Sequence, residues 1–316
     1  MTTFADMVRQ FGGAPVGLGF DTSKVFYNNS GIQNKGRAWF VDTSYGGNGD
    51  GRSPKTAFST MDRAFDSVAS GDIIYFVGKV TEQLVTPVQV FDVTVVGCGN
   101  RPRHADATPT GGSWAASQWG PPASGGVAAQ ATVRVLQQGW RFCNILFTAI
   151  DANAACVELV RNAAAGNAER DASHAQIIGC RFAGAGIGIR AGVAGTFTEN
   201  VFNVEVAGCK FNDMTTAMSG NFANGWHIHH NNFGPNTSQI TMGVANFVIA
   251  YNQIGPFTAA GNSGGIDLNG GTGTNQVTWN TLSGTYSIAG GYRVGGAGDN
   301  WYGNAASTGF TSADPA

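Results

Sequence analysis

The 316-residue sequence predicts an all-β chain: a single-stranded right-handed parallel β-helix with a short N-terminal capping helix and an irregular N-terminal arm. Three observations predict it. One short unit recurs, with Asn or Cys at the same phase: Asn144, Cys180, Cys209, Asn231, Asn252, Asn280 and Asn300, each followed two residues later by a large apolar side chain. Before each marker the chain alternates with period two. Ala175/Ile177, Val204/Val206, Trp226/Ile228, Phe247/Ile249 and Asn275/Val277 point one way and their neighbours the other. The composition also fits, with 47 Gly and only 12% charged residues, yet enough apolar and aromatic side chains to fill a core.

Taken in order, residues 1–38 read as an arm. Thr3 to Gln10 suits two helical turns, ended by Gly12-Gly13. Trp39 to Asp42 reads as a strand and Tyr45 to Gly51 as turn chemistry. Ser59 or Thr60 can cap a helix over 60–69, with Asp62 in its first turn and Met61, Ala64, Phe65 and Val68 on one face. Ile73 to Val77 follows as a buried strand. The β-helix is expected over 39–305, with insertions at 101–131 and 162–174, and a tail over 306–316. A second short run follows each turn: Ile187/Ile189, Ile240/Met242, Ile266/Leu268 and Tyr286/Ile288.

The repeat has a physical reason. Coils stack about 4.8 Å apart, so equivalent residues form columns. A stacked Asn can satisfy turn backbone that would otherwise be orphaned, and Cys fits the same slot as a small buried residue. No single coil is stable alone, so the ends need caps. A β-sandwich of many short strands would not repeat Asn or Cys at matched phase.

Charge and motifs narrow the partners. The net charge is −2 with no basic block, which argues against nucleic acid. Apolar runs fall far short of the roughly 20 residues of a spanning helix, so no membrane partner is expected. Met1 to Arg9 lacks the apolar core of a signal peptide, and five cysteines without CxxC suit free thiols in a reducing cytosol. Cys180 and Cys209 are expected as column neighbours near disulfide distance.

Two stretches carry a family resemblance. Trp39 to Ala64 contains Asp50-Gly-Arg-Ser-Pro-Lys-Thr-Ala-Phe-Ser-Thr60, and Gly71-Asp-Ile-Ile74 follows the helix. Together they resemble the N-terminal coil of pectate-lyase-like β-helix proteins, in the form common in bacteriophage virion proteins. The ending Gly298 to Ala306 resembles the tails of such proteins. This implies a virion protein folded in the host cytoplasm, decorating a capsid or tail. It also implies a homo-oligomer, most simply a trimer, with the N-terminal arm docking on other virion proteins. A tailspike-like protein binding or depolymerising host polysaccharide is the alternative, and a bacterial adhesin a further one.

The lyases of this superfamily use clustered acidic Ca²⁺ ligands. Over 172–298 the acids are Glu199, Glu205, Asp213 and Asp267, no two within five residues, so no catalytic residue is assigned and no cofactor is expected. If the chain is an enzyme, a polysaccharide lyase or glycoside hydrolase is the class implied. Asp267 should face outward beside Thr241 and Ser287, without the second carboxylate that glycoside hydrolysis uses. The loop Asp42 to Asp50 is explained by turn formation. Gly184 to Gly188 lies inside a coil and opens no helix, unlike a dinucleotide site.

His227 and His229 flank inward Ile228 and form an outward H-x-H pair, the one metal candidate, here or across a threefold axis. Ile178, Ala207, His229, Val248 and Ala250 form a partly apolar outward column, expected as an oligomer interface. Trp114, Trp119 and Tyr292 are candidates for stacking on sugars.

Overall fold

A computed structural model describes residues 36–47, 49–99, 117–122, 126, 130–149, 151–162, 170–192, 199–259, 264–268, 271, 273–296, 298–307 and 309–315. Trp114, residues 1–35 of the arm and most of the 101–131 insertion lie outside them, as do 163–169 of the second insertion.

The coils stack into three sheets. The front sheet has ten described strands, from Ala38–Asp42 through Ile73–Val77, Thr94–Gly97, Arg141–Cys143, Gln176–Ile178, Glu205–Ala207, His227–His229, Val248–Ala250 and Gln276–Thr278 to Asn300–Tyr302. Each pairs in parallel with the next. The side sheet begins at Lys79–Thr81 and includes Arg181–Gly184, Lys210–Asn212, Asn232–Phe233, Gln253–Ile254 and Thr281–Leu282. The back sheet runs from Leu84–Val85 to Tyr292–Arg293. The chain is therefore a parallel β-helix. Inward positions fill its bore: Ala175, Ile177, Val206, Trp226, Ile228, Phe247, Ile249 and Val277 are buried. Phe147, Phe182, Phe211 and Phe233 stack through it with ring centroids 5.5, 4.7 and 4.8 Å apart.

The helix expected near 60–69 forms over Met61–Ser67 (α1), capped by Thr60, whose side chain accepts from the Arg63 N–H. Glu82 adds a carboxylate to its first turn, accepting from the Met61 and Asp62 N–H groups at 3.0 and 2.7 Å. Phe65 packs against Trp119 and Trp140, so α1 closes the N-terminal end of the bore. Asp72, in the Gly-Asp-Ile-Ile motif, is buried and accepts from Arg37 N, Trp39 Nε1 and Ala69 N. It ties the exit of α1 to the first front strand. At the other end Gly309–Phe310 turns back antiparallel onto Ala305–Ala306.

The Asn column is continuous over the last four coils. Asn252 Oδ1 accepts from Asn231 N at 2.9 Å and Asn231 Nδ2 at 3.0 Å. Asn252 Nδ2 donates to Ile228 O and Asn280 Oδ1, both at 2.9 Å. The pattern repeats from Asn280 to Asn304, where Thr311 Oγ1 accepts from Asn304 N and ends the column. Cys209 and Cys180 occupy the same slot as buried free thiols, donating to Ile177 O and Phe142 O.

Two of the seven expected column members sit elsewhere. Pairing of Cys143 with Ile178 and Leu146 with Arg181 places Ile145, not Asn144, in the slot. Asn144 occupies the preceding turn position, at φ 57°, which Asn tolerates well. In the last coil the slot belongs to Asn304; Asn300 is an exposed strand residue two positions before Tyr302. The fourth second run is also out of phase. Ile266 pairs with Tyr292 rather than with the Tyr286/Ile288 segment, and Ile288 is exposed. Asp267 therefore neighbours Thr241 and Arg293, not Ser287, and it is buried with the Arg293 guanidinium 3.7 Å away. Trp119 and Tyr292, expected as exposed sugar platforms, are buried in the bore.

Candidate functional site

The site begins with a turn conformation. The seven coils from Asn144 onward cross from front to side sheet through one residue at positive φ immediately before the column slot: Asn144, Gly179, Gly208, His230, Tyr251, Trp279 and Gly303. Glycine or Asn suits this left-handed region. Three successive coils instead place an aromatic ring there, at φ 56°, 57° and 58°. Bulky residues in this region cost about 1–3 kcal/mol each and persist where something else requires them.

The core does not require them. Tyr251 and Trp279 are 57% and 48% exposed. His230 stacks on Tyr251 with centroids 5.3 Å apart, and Trp279 meets the exposed ring of Tyr302 edge-on at 5.7 Å. A Cβ at Gly303 would come within about 3.0 Å of the Trp279 ring, so that glycine makes room for the indole. The result is an aromatic ridge along one corner of the helix.

Upstream, the ridge drops into a depression. Gly179 and Gly208 hold the same turn position, and a Cβ at Gly179 would meet only open space. The depression has a volume of ≈ 260 Å³ and is lined by these two glycines with Arg181, Lys210, His230 and Asn232. Arg181, Lys210, Asn232 and Gln253 are register partners on the outer face of the side sheet. Burial and the nearby Arg181 charge lower the Lys210 pKa.

On the front sheet beside this corner lies the H-x-H pair. His227 is exposed and His229 half-buried. The register sets Glu205 directly opposite His227. His229 Nε2 lies 3.1 Å from Glu205 Oε1. Partial burial lowers the His227 pKa, reinforced by His229 and opposed by Glu205. Ile178, Ala207, His229 and Ala250 do form one column, with Val248 in the column beside it. Ala250 is already buried within the single chain; Ile178, Ala207 and Val248 are half-buried. At the N-terminal coils, Ile73, Tyr75, Val77 and Val96 are likewise buried in a separate apolar cluster with Cys98.

Sequence reasoning passed over the aromatic ridge, and it counted Glu205 among the acids without joining it to the His pair. The signal for the ridge was the residue before each marker, which reads Gly, Gly, His, Tyr, Trp from 179 to 279. It also passed over Glu158, buried on the back sheet between Arg134 and Arg190, with Arg190 Nη2 at 2.5 Å.

No family model matches the chain, and no curated protein matches it. Among solved structures it is similar to the pectin methylesterase of Aspergillus niger in two deglycosylated forms, at 16% identity, covering 85% of each chain with a TM-score of 0.52. The fold is a right-handed parallel β-helix. A pectate lyase is also similar, at 14% identity over 89% of this chain and 77% of its own, with a TM-score of 0.43. At these identities the likeness extends to the fold and no further.

Proposed function

We propose that this β-helix binds an acidic polysaccharide along the corner formed by the aromatic ridge and the basic depression. The observation that carries the reading is the ridge itself: Tyr251 and Trp279 are held exposed in a backbone conformation that disfavours bulky rings, in line with exposed His230. Aromatic faces suit the apolar faces of sugar rings. Half-buried Lys210 suits a carboxylate or sulfate on the same chain, buried Arg181 adds positive charge behind it, and Asn232 and Gln253 supply amide partners beside it. The polysaccharide-processing enzymes that share the fold are consistent with a glycan ligand. Cleavage by paired carboxylates is less well supported, since Asp267 and Glu158 lie on the back sheet, each engaged by arginine.

Affinity electrophoresis through gels containing acidic or neutral polysaccharides tests this. An acidic polymer should retard the protein, and Lys210→Ala should weaken the retention about tenfold. Gly208→Asn tolerates the left-handed turn while placing a side chain in the depression, and should weaken binding with little change in melting temperature. Equal mobility in all gels would refute the reading.

A second reading, a non-enzymatic virion protein assembled as a trimer through the front face, is favoured by the column of apolar, half-buried residues Ile178 and Ala207 with Val248 beside it. Light scattering should then give three times the chain mass. A clean monomer at micromolar concentration would remove that reading.

A further inference from the structure

Glu205, His227 and His229 come from two coils and meet only because the coils stack in register. Their ligand atoms all lie within 4.8 Å of one another, on the outer face of the front sheet. We propose that these three side chains bind one divalent transition-metal ion of the zinc class, held by a single chain.

The distances suit such an ion. Zinc bonds to imidazole nitrogen and carboxylate oxygen at about 2.0–2.2 Å, so ligands arranged tetrahedrally around one ion stand roughly 3.3–3.6 Å apart. Small torsional changes close the observed cluster to that span. His227 and His229 project from one strand on the same face, with ring centroids 4.1 Å apart. His227 is exposed, so the remaining coordination positions open to water.

The outer partners are in place as well. His229 Nδ1 lies 2.8 Å from His230 Nδ1, which fixes the ring and directs Nε2 toward Glu205 Oε1. Glu205 Oε2 accepts from Gln176 Nε2 at 2.8 Å, leaving Oε1 toward the shared point. Ligating groups are commonly held in this way, by a hydrogen bond at the atom facing away from the ion. The 3.1 Å contact between His229 Nε2 and Glu205 Oε1 is the one that an ion bound between them would replace.

The donor set selects the ion. Two imidazoles and one carboxylate suit zinc, iron, nickel or copper, whereas calcium and magnesium favour sets of oxygens. Neighbouring Ala207, Val248 and Ala250 offer no competing polar group. The metal site and the glycan corner share one residue, His230, but their ligands and tests differ: ion uptake can fail while acidic polymer is still retained, and the reverse.

Titration of the full chain with Co²⁺ alone, followed by its visible absorption and by displacement with Zn²⁺, tests the proposal. Saturation at one ion per chain is expected. His227→Ala and His229→Ala should each weaken uptake at least tenfold, with metal-free melting unchanged. Gln176→Ala should weaken it by roughly tenfold, as loss of an outer partner does. Three results would overturn the proposal: no saturable uptake, uptake unchanged in the double histidine variant, or saturation at one ion per three chains. The last would instead place the ion on an axis between copies.

Discussion

Replacing Asn252 by alanine should destabilise the protein by about 4 kcal/mol and lower its melting temperature by many degrees. Asn252 is buried, and its amide uses all four hydrogen-bonding positions. Alanine removes the acceptor for the Asn231 N–H and amide and the donor to Ile228 O. Each buried group left without a partner costs about 1–3 kcal/mol, and no water can replace the amide in a packed slot. The same logic separates two residues that look alike in sequence. Asn304→Ala should be severe, because Asn304 accepts from both Asn280 N and Asn280 Nδ2. Asn300→Ala, at an exposed strand position, should stay within about 0.5 kcal/mol of the parent. Thermal unfolding of the three variants checks this. Equal losses at 300 and 304 would mean that the column does not end as described.

That contrast also marks how far the sequence could be read. The column was legible from Cys180 to Asn280 because those coils have uninterrupted alternation on both sides of the slot. It failed at Asn144 and Asn300, where an Asn stands near the slot for another reason, turn conformation at one and an exposed strand position at the other. The Tyr286/Ile288 run failed because a Gly-rich turn shifts the true strand to Tyr292. Trp119 was misplaced because its short strand sits among Pro and Gly, where alternation is too brief to show its inward phase. The His pair was readable, but its partner Glu205 depends on a register 22 residues away. Glu158 lies within the run Ala155–Leu159, and only stacking brings it to Arg134 and Arg190. Function was least legible. The ridge occupies a position whose meaning is conformational, and one-letter sequence carries no φ angle.

Replacing both Tyr251 and Trp279 by glycine should weaken polysaccharide binding about tenfold or more while changing the stability of the fold little. The two effects have separate causes. Each ring stacked on a sugar contributes on the order of 1 kcal/mol beyond its buried area, so losing two weakens binding roughly tenfold to a hundredfold. Stability responds to the backbone. Both residues stand at φ near 57°, where glycine relieves strain of about 1–2 kcal/mol per position. Against this stand the extra entropy of glycine in the unfolded chain, about 0.5–1 kcal/mol per position, and the lost contacts with His230 and Tyr302. The terms nearly cancel, so the sum lies within about 1 kcal/mol of the parent. Residues kept for folding behave in the opposite way, losing stability when truncated. Melting temperature and gel retardation measured on the same variant therefore separate the two roles. A double variant that melts well below the parent yet still binds the acidic polymer would make the ridge a structural feature. One that melts near the parent and binds far more weakly would show that these coils keep the rings for recognition rather than for folding.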